Sequence, residues 1–152
     1  MEKAGILYWL IYTLLFIWQL PQAIVGLVLL LFCKNKNVVT KRHYNTCIET
    51  SSISGGISLG PFCVVGESFK YFPAYIAHEV DGHTVQSKIL GPLYLIVIGL
   101  PSFLCSIFVK SPVKYNNVYT EKWANNCAGV ITTTNGSLAF KEQNSRNNTL
   151  TA

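Results

Sequence analysis

The chain has 152 residues and a formal net charge of +5; half of its residues are hydrophobic and only 12% are charged. Its length allows one domain, and a composition this apolar belongs with membrane proteins. The basic residues are scattered and form no contiguous basic face, which argues against a nucleic-acid partner. Five cysteines, at positions 33, 47, 63, 105 and 127, are odd in number and widely spaced. They read as buried thiols in a reducing compartment rather than as a disulfide framework or a cysteine-based zinc site.

Residues 4–33 contain no charge over 30 positions, more than the about 20 a spanning helix needs. Pro21 interrupts the run and removes a helical hydrogen bond. The segment is therefore either one long kinked span or two shorter apolar helices meeting at Leu20-Pro21. Gln19 and Gln22 flank the proline and need partners at membrane depth; the simplest are backbone groups that the proline sets free. Lys34, Lys36, Lys41 and Arg42 follow directly. They place that end on the cytoplasmic side, in contact with anionic lipid.

Residues 34–50 read as a polar, basic surface linker. Between Cys47 and Ser68, β-branched residues punctuated by glycine predict two short strands, a hairpin turning at Gly60-Pro61. Pro73 suits the first turn of a helix that carries residues 75–88 and is broken at Gly91-Pro92. A second uncharged run, residues 89–109, contains a break of its own at Gly99-Leu-Pro-Ser. Residues 115–125 predict a short helix, capped by Thr120 or the asparagines before it. Residues 131–152, rich in Thr, Asn and Ser, read as a flexible tail. The expected fold is thus a mainly α membrane protein. Residues 1–33 form an apolar helix or helical hairpin, 34–130 a metal-binding domain with an apolar hairpin at 89–109, and 131–152 the tail.

The chemistry concentrates at His78-Glu-Val-Asp-Gly-His83. Two of the three histidines and two of the seven acidic residues fall in these six positions. Imidazole and carboxylate are ordinary zinc ligands, and a carboxylate beside a metal-bound water acts as general base. The helical motif His-Glu-x-x-His spaces its histidines by four, about 400° of rotation. A spacing of five gives about 500°, so His78 and His83 diverge by roughly 140° on a regular helix. Three outcomes follow. A one-residue π-bulge, eased by Gly82, could bring the rings back together. A regular helix could instead pair Glu79 with His83 and His78 with Asp81. Otherwise the site is broken.

The blocks His78-Glu79, Gly82-His83, Gln86-Ser87, Leu90-Gly-Pro-Leu-Tyr-Leu95, Gly99-Leu-Pro-Ser102 and Thr120-Glu-Lys-Trp-Ala-Asn125 occur in that order. With them, residues 77–130 resemble a group of small prokaryotic membrane-associated proteins with zincin-like motifs, over more than a third of the chain. Trp18-Gln-Leu-Pro-Gln22 is similar as well. The resemblance implies a zincin-type zinc site; the departure is one extra residue, Val80 or Asp81. Glu121 to Asn125 is similar to the Glu-x-x-x-Asp helix of gluzincins. There the Glu binds zinc and the residue four on steadies a histidine; here Asn125 stands for the aspartate. The resemblance thus implies zinc held by His78, His83 and Glu121, with Glu79 as catalytic base and Asn125 in support; Asp81 is the alternative ligand that the regular-helix arrangement offers.

This ligand set requires His83 and Glu121 on one side of the bilayer. The break at Gly99-Leu-Pro-Ser is therefore expected to turn the chain back, giving two legs too short to cross. The expected protein is a membrane-embedded zinc metallopeptidase with its site on the cytoplasmic side, acting on membrane-proximal peptides. The alternative is a catalytically inactive scaffold or interaction protein that retains a degraded metal site.

Overall fold

The computed structural model describes residues 5–42 and 44–141, and these are mainly helical with a small sheet. Two apolar helices, α1 (Ile6–Trp18) and α2 (Leu20–Phe32), meet at Gln19 with an 87° bend. The uncharged N-terminal run is thus broken rather than kinked, with Pro21 in the first turn of α2, where its missing N–H costs nothing. Each helix has 13 residues and reaches about 20 Å at 1.5 Å per residue. Among the described residues no single helix is long and apolar enough to cross a membrane.

Gln19 and Gln22 do more than satisfy their own helix. Gln19 Nε2 does donate to the Leu15 carbonyl, at 3.0 Å, but Ser87 Oγ donates to Gln19 Oε1 at 2.8 Å. Gln22 Nε2 reaches Ser87 Oγ at 3.1 Å and the Gly91 carbonyl at 2.9 Å. Trp18 Nε1 donates to the Lys88 carbonyl at 2.9 Å, with Gly91 beneath its indole. A Cβ at Gly91 would lie 2.2 Å from Trp18 Cε2, and its φ of 51° favours glycine in any case. The bend between the apolar helices is therefore clasped to the rest of the domain through buried polar groups.

The four-stranded sheet runs β1 (Asn37–Arg42), β2 (Asn45–Thr50), β4 (Phe62–Gly66), β3 (Gly56–Leu59) across its width. The β3–β4 hairpin turns at Gly60-Pro61 as expected, with Leu59 opposite Phe62 and Gly60 at φ 63°. The linker expected at 34–50 is instead the β1–β2 pair, and β2 runs parallel to β4. Its alternation is masked because the inward positions Asn45, Cys47 and Glu49 include polar residues. Asn45, for instance, donates to Thr84 Oγ1 at 2.9 Å.

A composite helix crosses the sheet. It begins as α3 (Pro73–Ala77), continues as a π-helical segment (His78–His83) and ends as α4 (Thr84–Leu90). Cys47, Cys63 and Val65 of the sheet pack against Ile76 and Val80 of this helix. The other side of α3 buries Ala74 and Ala77 against Val130 and Leu138. These last two belong to the hairpin of β5 (Val130–Thr132) and β6 (Leu138–Phe140). The tail expected from 131 is thus ordered structure through 141; residues 142–152 of that stretch lie outside the described residues.

The chain reverses by 119° between Pro73–Leu93 and Leu95–Phe108. The turn sits at Gly91–Leu93, a short 3-10 turn, rather than at Gly99-Leu-Pro-Ser. A π-helical segment (Leu95–Gly99) runs on into α5 (Leu100–Phe108), because Pro101 falls in the first turn of α5, where proline is tolerated. The helix expected at 115–125 is divided into α6 (Pro112–Asn116) and α7 (Tyr119–Ala128). Ser111 caps α6 through the Lys114 N–H; the N-cap position of α7 is Val118, so Thr120 and the asparagines do not cap it.

Candidate metal centre

Of the three outcomes open to the five-residue spacing, the structure takes the π-bulge. Over His78–His83 the helix widens, and the His78 and His83 rings lie edge to face with centroids 4.7 Å apart. The insertion has its own place in the packing: Val80 is fully buried in the core against the sheet. Such burial is worth roughly 1.5–3 kcal/mol, which helps offset the irregular helix. Thr84 donates its hydroxyl to the Val80 carbonyl at the end of the segment.

Gly82 serves close packing. A Cβ there would lie 2.7 Å from the Ala124 carbonyl oxygen and 3.0 Å from Ala124 Cβ. Without it, α7 rests directly on the π segment and presents Glu121 and Asn125, one turn apart, to the two histidines. Glu121 is 1% exposed, which rules out the exposed, lysine-paired role open to a helix glutamate. Its Oε2 lies 3.0 Å from His78 Nε2 and 3.2 Å from His83 Nε2. Its Oε1 accepts from Ser102 Oγ at 2.5 Å and from Thr120 Oγ1 at 3.2 Å.

The far nitrogens of both rings are fixed by amides whose orientation is forced. Asn125 Nδ2 donates to the Asn116 carbonyl at 3.3 Å, so its Oδ1, 2.8 Å from His78 Nδ1, is the acceptor there. Gln86 Nε2 likewise donates to the Thr120 carbonyl at 2.7 Å, and its Oε1 faces His83 Nδ1 at 2.8 Å. Both imidazoles must therefore carry a proton on Nδ1, and in their neutral forms both Nε2 lone pairs point at Glu121 Oε2. Three acceptors converge with no donor among them. Such a cluster requires a cation at its centre, a proton or a metal.

The electrostatics express the same demand. Burial disfavours the charged form of His83, but the hydrogen bond and charge of Glu121, then the charge of Glu79, outweigh it and push its pKa up to about 9. Burial likewise works to raise the Glu121 carboxyl, yet both imidazoles hold it well below the usual carboxylate range.

Glu79 stands beside the cluster. Donor atoms of His78, Glu79 and His83 lie within 4.8 Å of one another, and all three residues are buried, a group able to hold a metal ion. Ser58 Oγ donates to Glu79 Oε2 at 2.7 Å. Gly56 lies against the same carboxylate: a Cβ there would fall 2.2 Å from Glu79 Oε1. Both Gly56 and Ser58 are on β3, the edge strand nearest the site. Asp81, weighed as an alternative ligand, is placed elsewhere, lining a separate small cavity with Val39, Thr40 and Phe140.

A cleft of about 1130 Å³ opens over the centre, lined by β3, the four site residues, Tyr94, Tyr115 and parts of α2 and α5. Because Ser102 gives its proton to Glu121, the 3.2 Å contact between Tyr115 Oη and Ser102 Oγ has the phenol as donor. Burial, then the negative charge of Glu121, keeps that phenol protonated.

Ser58, Gly56, Gln86, Ser102 and Tyr115 carry no site role in the sequence reading. Gln86 had one local signal: it lies three positions after His83, within reach on one helix face. The others come to the site from distant segments. Compared with known protein families, curated proteins and solved structures, the chain matches none.

Proposed function

We propose that this chain is a membrane-associated zinc peptidase of zincin type, its metal held by His78, His83 and Glu121 and its general base Glu79. The observation that carries the reading is the convergence of three lone pairs, two of them fixed by forced tautomers. Tetrahedral zinc with bonds of 2.0–2.1 Å has ligand–ligand edges of roughly 3.3 Å. The separations of 3.0 and 3.2 Å between Glu121 Oε2 and the two Nε2 atoms match that figure closely. The chemistry of the set, two neutral imidazoles and one carboxylate beside a cleft, is that of a catalytic rather than a closed structural site. Glu121 is preferred over Glu79 as the third ligand because its Oε2 faces both rings, while Glu79 Oε2 is engaged by Ser58.

A zinc ion in this position supplies Lewis-acid polarisation of a substrate carbonyl and acidifies water. The chain supplies the rest. Glu79 takes the proton of the attacking water and returns it to the leaving nitrogen; Ser58 and Gly56 hold its carboxylate in place. Asn125 and Gln86 keep both Nε2 atoms unprotonated toward the centre. The register of β3 offers a place for the substrate backbone. Gly66 N–H donates to the Gly55 carbonyl, so residues 55, 57 and 59 turn toward β4. Gly56 turns its N–H and C=O and Ser58 its N–H to the free edge, while the Ser58 carbonyl accepts from Tyr94 Oη at 2.9 Å. An extended peptide can add there as a further strand.

The apolar helices, together with the basic residues after them, support a position on the cytoplasmic side of a bilayer. Against the inactive-scaffold alternative stands the network around the ligands, in which Asn125, Gln86 and Ser58 each hold a site side chain in place. Metal analysis of the purified protein tests the proposal. One zinc per chain is expected, lost in His78→Ala, His83→Ala and Glu121→Gln. Glu79→Gln is expected to retain the zinc and lose hydrolysis of a casein-derived peptide pool by 10²–10⁴-fold. A wild-type chain without zinc, or hydrolysis surviving Glu79→Gln, refutes it.

A further inference from the structure

The cleft has two unlike parts. At the metal centre it is polar, built from His78, Glu79, His83 and Glu121, with the free edge of β3 beside them. Away from it, Val25 and Leu29 of α2 face Leu100 and Phe103 of α5 across the opening. Three of these four wall residues are widely exposed: Val25 45%, Leu100 54% and Phe103 59%. They continue into the outer apolar surface of the same helices, Val28 and Leu31 on α2, Leu104 and Ile107 on α5, with Ser106 and Lys110 the exposed polar residues on the α5 side of the cleft. The mouth of the cleft is therefore part of the surface that the bilayer would cover.

We infer, building on the peptidase reading, that the substrate is a polypeptide with an uncharged apolar segment that remains in the bilayer. It enters sideways between α2 and α5, and its extended backbone lies along Gly56 and Ser58 of β3. Three features fit this occupant. The cleft, about 1130 Å³, exceeds the usual 300–1,000 Å³ of a small-molecule pocket and suits a stretch of chain. Outside the site's own groups, Lys110 is the one charged side chain among the described lining residues, so a charged substrate side chain at the apolar wall would be desolvated without a partner. And the backbone groups of the β3 edge recognise peptide rather than acyl chain.

Photo-crosslinking in phosphatidylethanolamine–phosphatidylglycerol vesicles tests this. The probe is a synthetic peptide with a Leu-rich membrane segment and a benzophenone amino acid at its interfacial end; its control has the same interfacial end without the Leu-rich segment. Adducts of the membrane peptide are expected at Val25, Leu29, Leu100 and Phe103, with little labelling by the soluble control. Phe103→Ser is expected to cut the yield at least tenfold, while Leu104→Ser, on the outer surface, leaves it unchanged. Adducts spread over Leu31, Leu104 and Phe108, equal labelling by the soluble control, or insensitivity to Phe103→Ser overturns the inference. Zinc is measured on the same samples. Cleft adducts on a zinc-free protein keep the entry route and sink the peptidase reading; zinc bound with adducts elsewhere does the reverse.

Discussion

At Gly56 the absent side chain is a chemical requirement. The space a Cβ would take, 2.2 Å from Glu79 Oε1, belongs to the carboxylate of the proposed base. Because the clash is with the end of a side chain, Gly56→Ala is expected to fold and to bind zinc normally, while the displaced Glu79 loses hydrolysis by about 10²-fold or more. Measuring metal content and turnover on one preparation separates the two effects. The amides behind the histidines make the opposite prediction. Gln86→Met removes the acceptor at His83 Nδ1, frees the tautomer and is expected to weaken zinc affinity by 10–100-fold, read by competition with a chromogenic chelator. His78, Glu79 and His83 were legible in the sequence because charged and histidine side chains are scarce in so apolar a chain and these three fell together; Glu121 and Asn125 were legible through the resemblance of their helix to the Glu-x-x-x-Asp helix of gluzincins. Gly56, Ser58 and Ser102 were not. Their roles depend on partners 19 to 23 residues away in sequence, and nothing in the residues themselves names those partners.

At the scale of elements, the site exists because one helix is irregular and a second lies unusually close to it. The π segment turns His83 back toward His78, and Gly82 admits α7. Gly82→Ala places a carbon 2.7 Å from the Ala124 backbone oxygen, a contact no side-chain rotation relieves. The helices must separate, and Glu121 moves with α7. The expected result is loss of zinc affinity together with a lowered melting temperature, by contrast with Gly56→Ala, which leaves both unchanged; thermal melts with and without added zinc distinguish them. The five-residue spacing announced the irregularity, since a regular helix could not serve both rings, but it left open which residue was extra. Packing decides: Val80 has the core as its destination, and Asp81 points to another cavity. The turn within residues 89–109 falls at Gly91 and not at Gly99. Gly91 takes φ 51° against Trp18, a contact 73 residues away in sequence, whereas Gly99 has no atom of another segment against it and stays helical. Strands β1 and β2 escaped because their inward residues are partly polar, and a polar residue in a buried row breaks the alternation that marks a strand.

For the molecule as a whole, the two bent apolar pairs set how it would meet a bilayer under the proposed membrane-associated reading. Ile6, Leu7, Leu14, Leu31, Phe32 and Phe108 are all more than 60% exposed, far beyond the scattered apolar residues of an ordinary surface. Yet three of the four legs, of 13, 13 and 14 residues, reach only about 20 Å against about 30 Å of hydrocarbon, and the fourth, Pro73–Leu93, carries the buried site residues and packs on the sheet. The clasp of Trp18, Gln19 and Gln22 on Ser87, Lys88 and Gly91 fixes the first pair in its bent form, so it cannot straighten into one span without leaving buried polar groups unpaired, each worth about 1–3 kcal/mol. The chain should therefore lie in one leaflet, with Lys36, which binds the Leu30 carbonyl at the end of α2, at the headgroups. Single cysteines introduced at Gly5, Lys34, Lys88 and Lys110, in a background where native Cys127 is the exposed reference, are expected to react with an impermeant maleimide from one side of sealed vesicles only. A spanning first pair would put Gly5 opposite Lys34, and a spanning second run would put Lys88 opposite Lys110; either pattern contradicts the one-leaflet arrangement. Adding Gln22→Leu, which removes the clasp's central donor, supplies the internal control. If the clasp is what holds the bend, this variant alone gains reactivity at Gly5 from the far side.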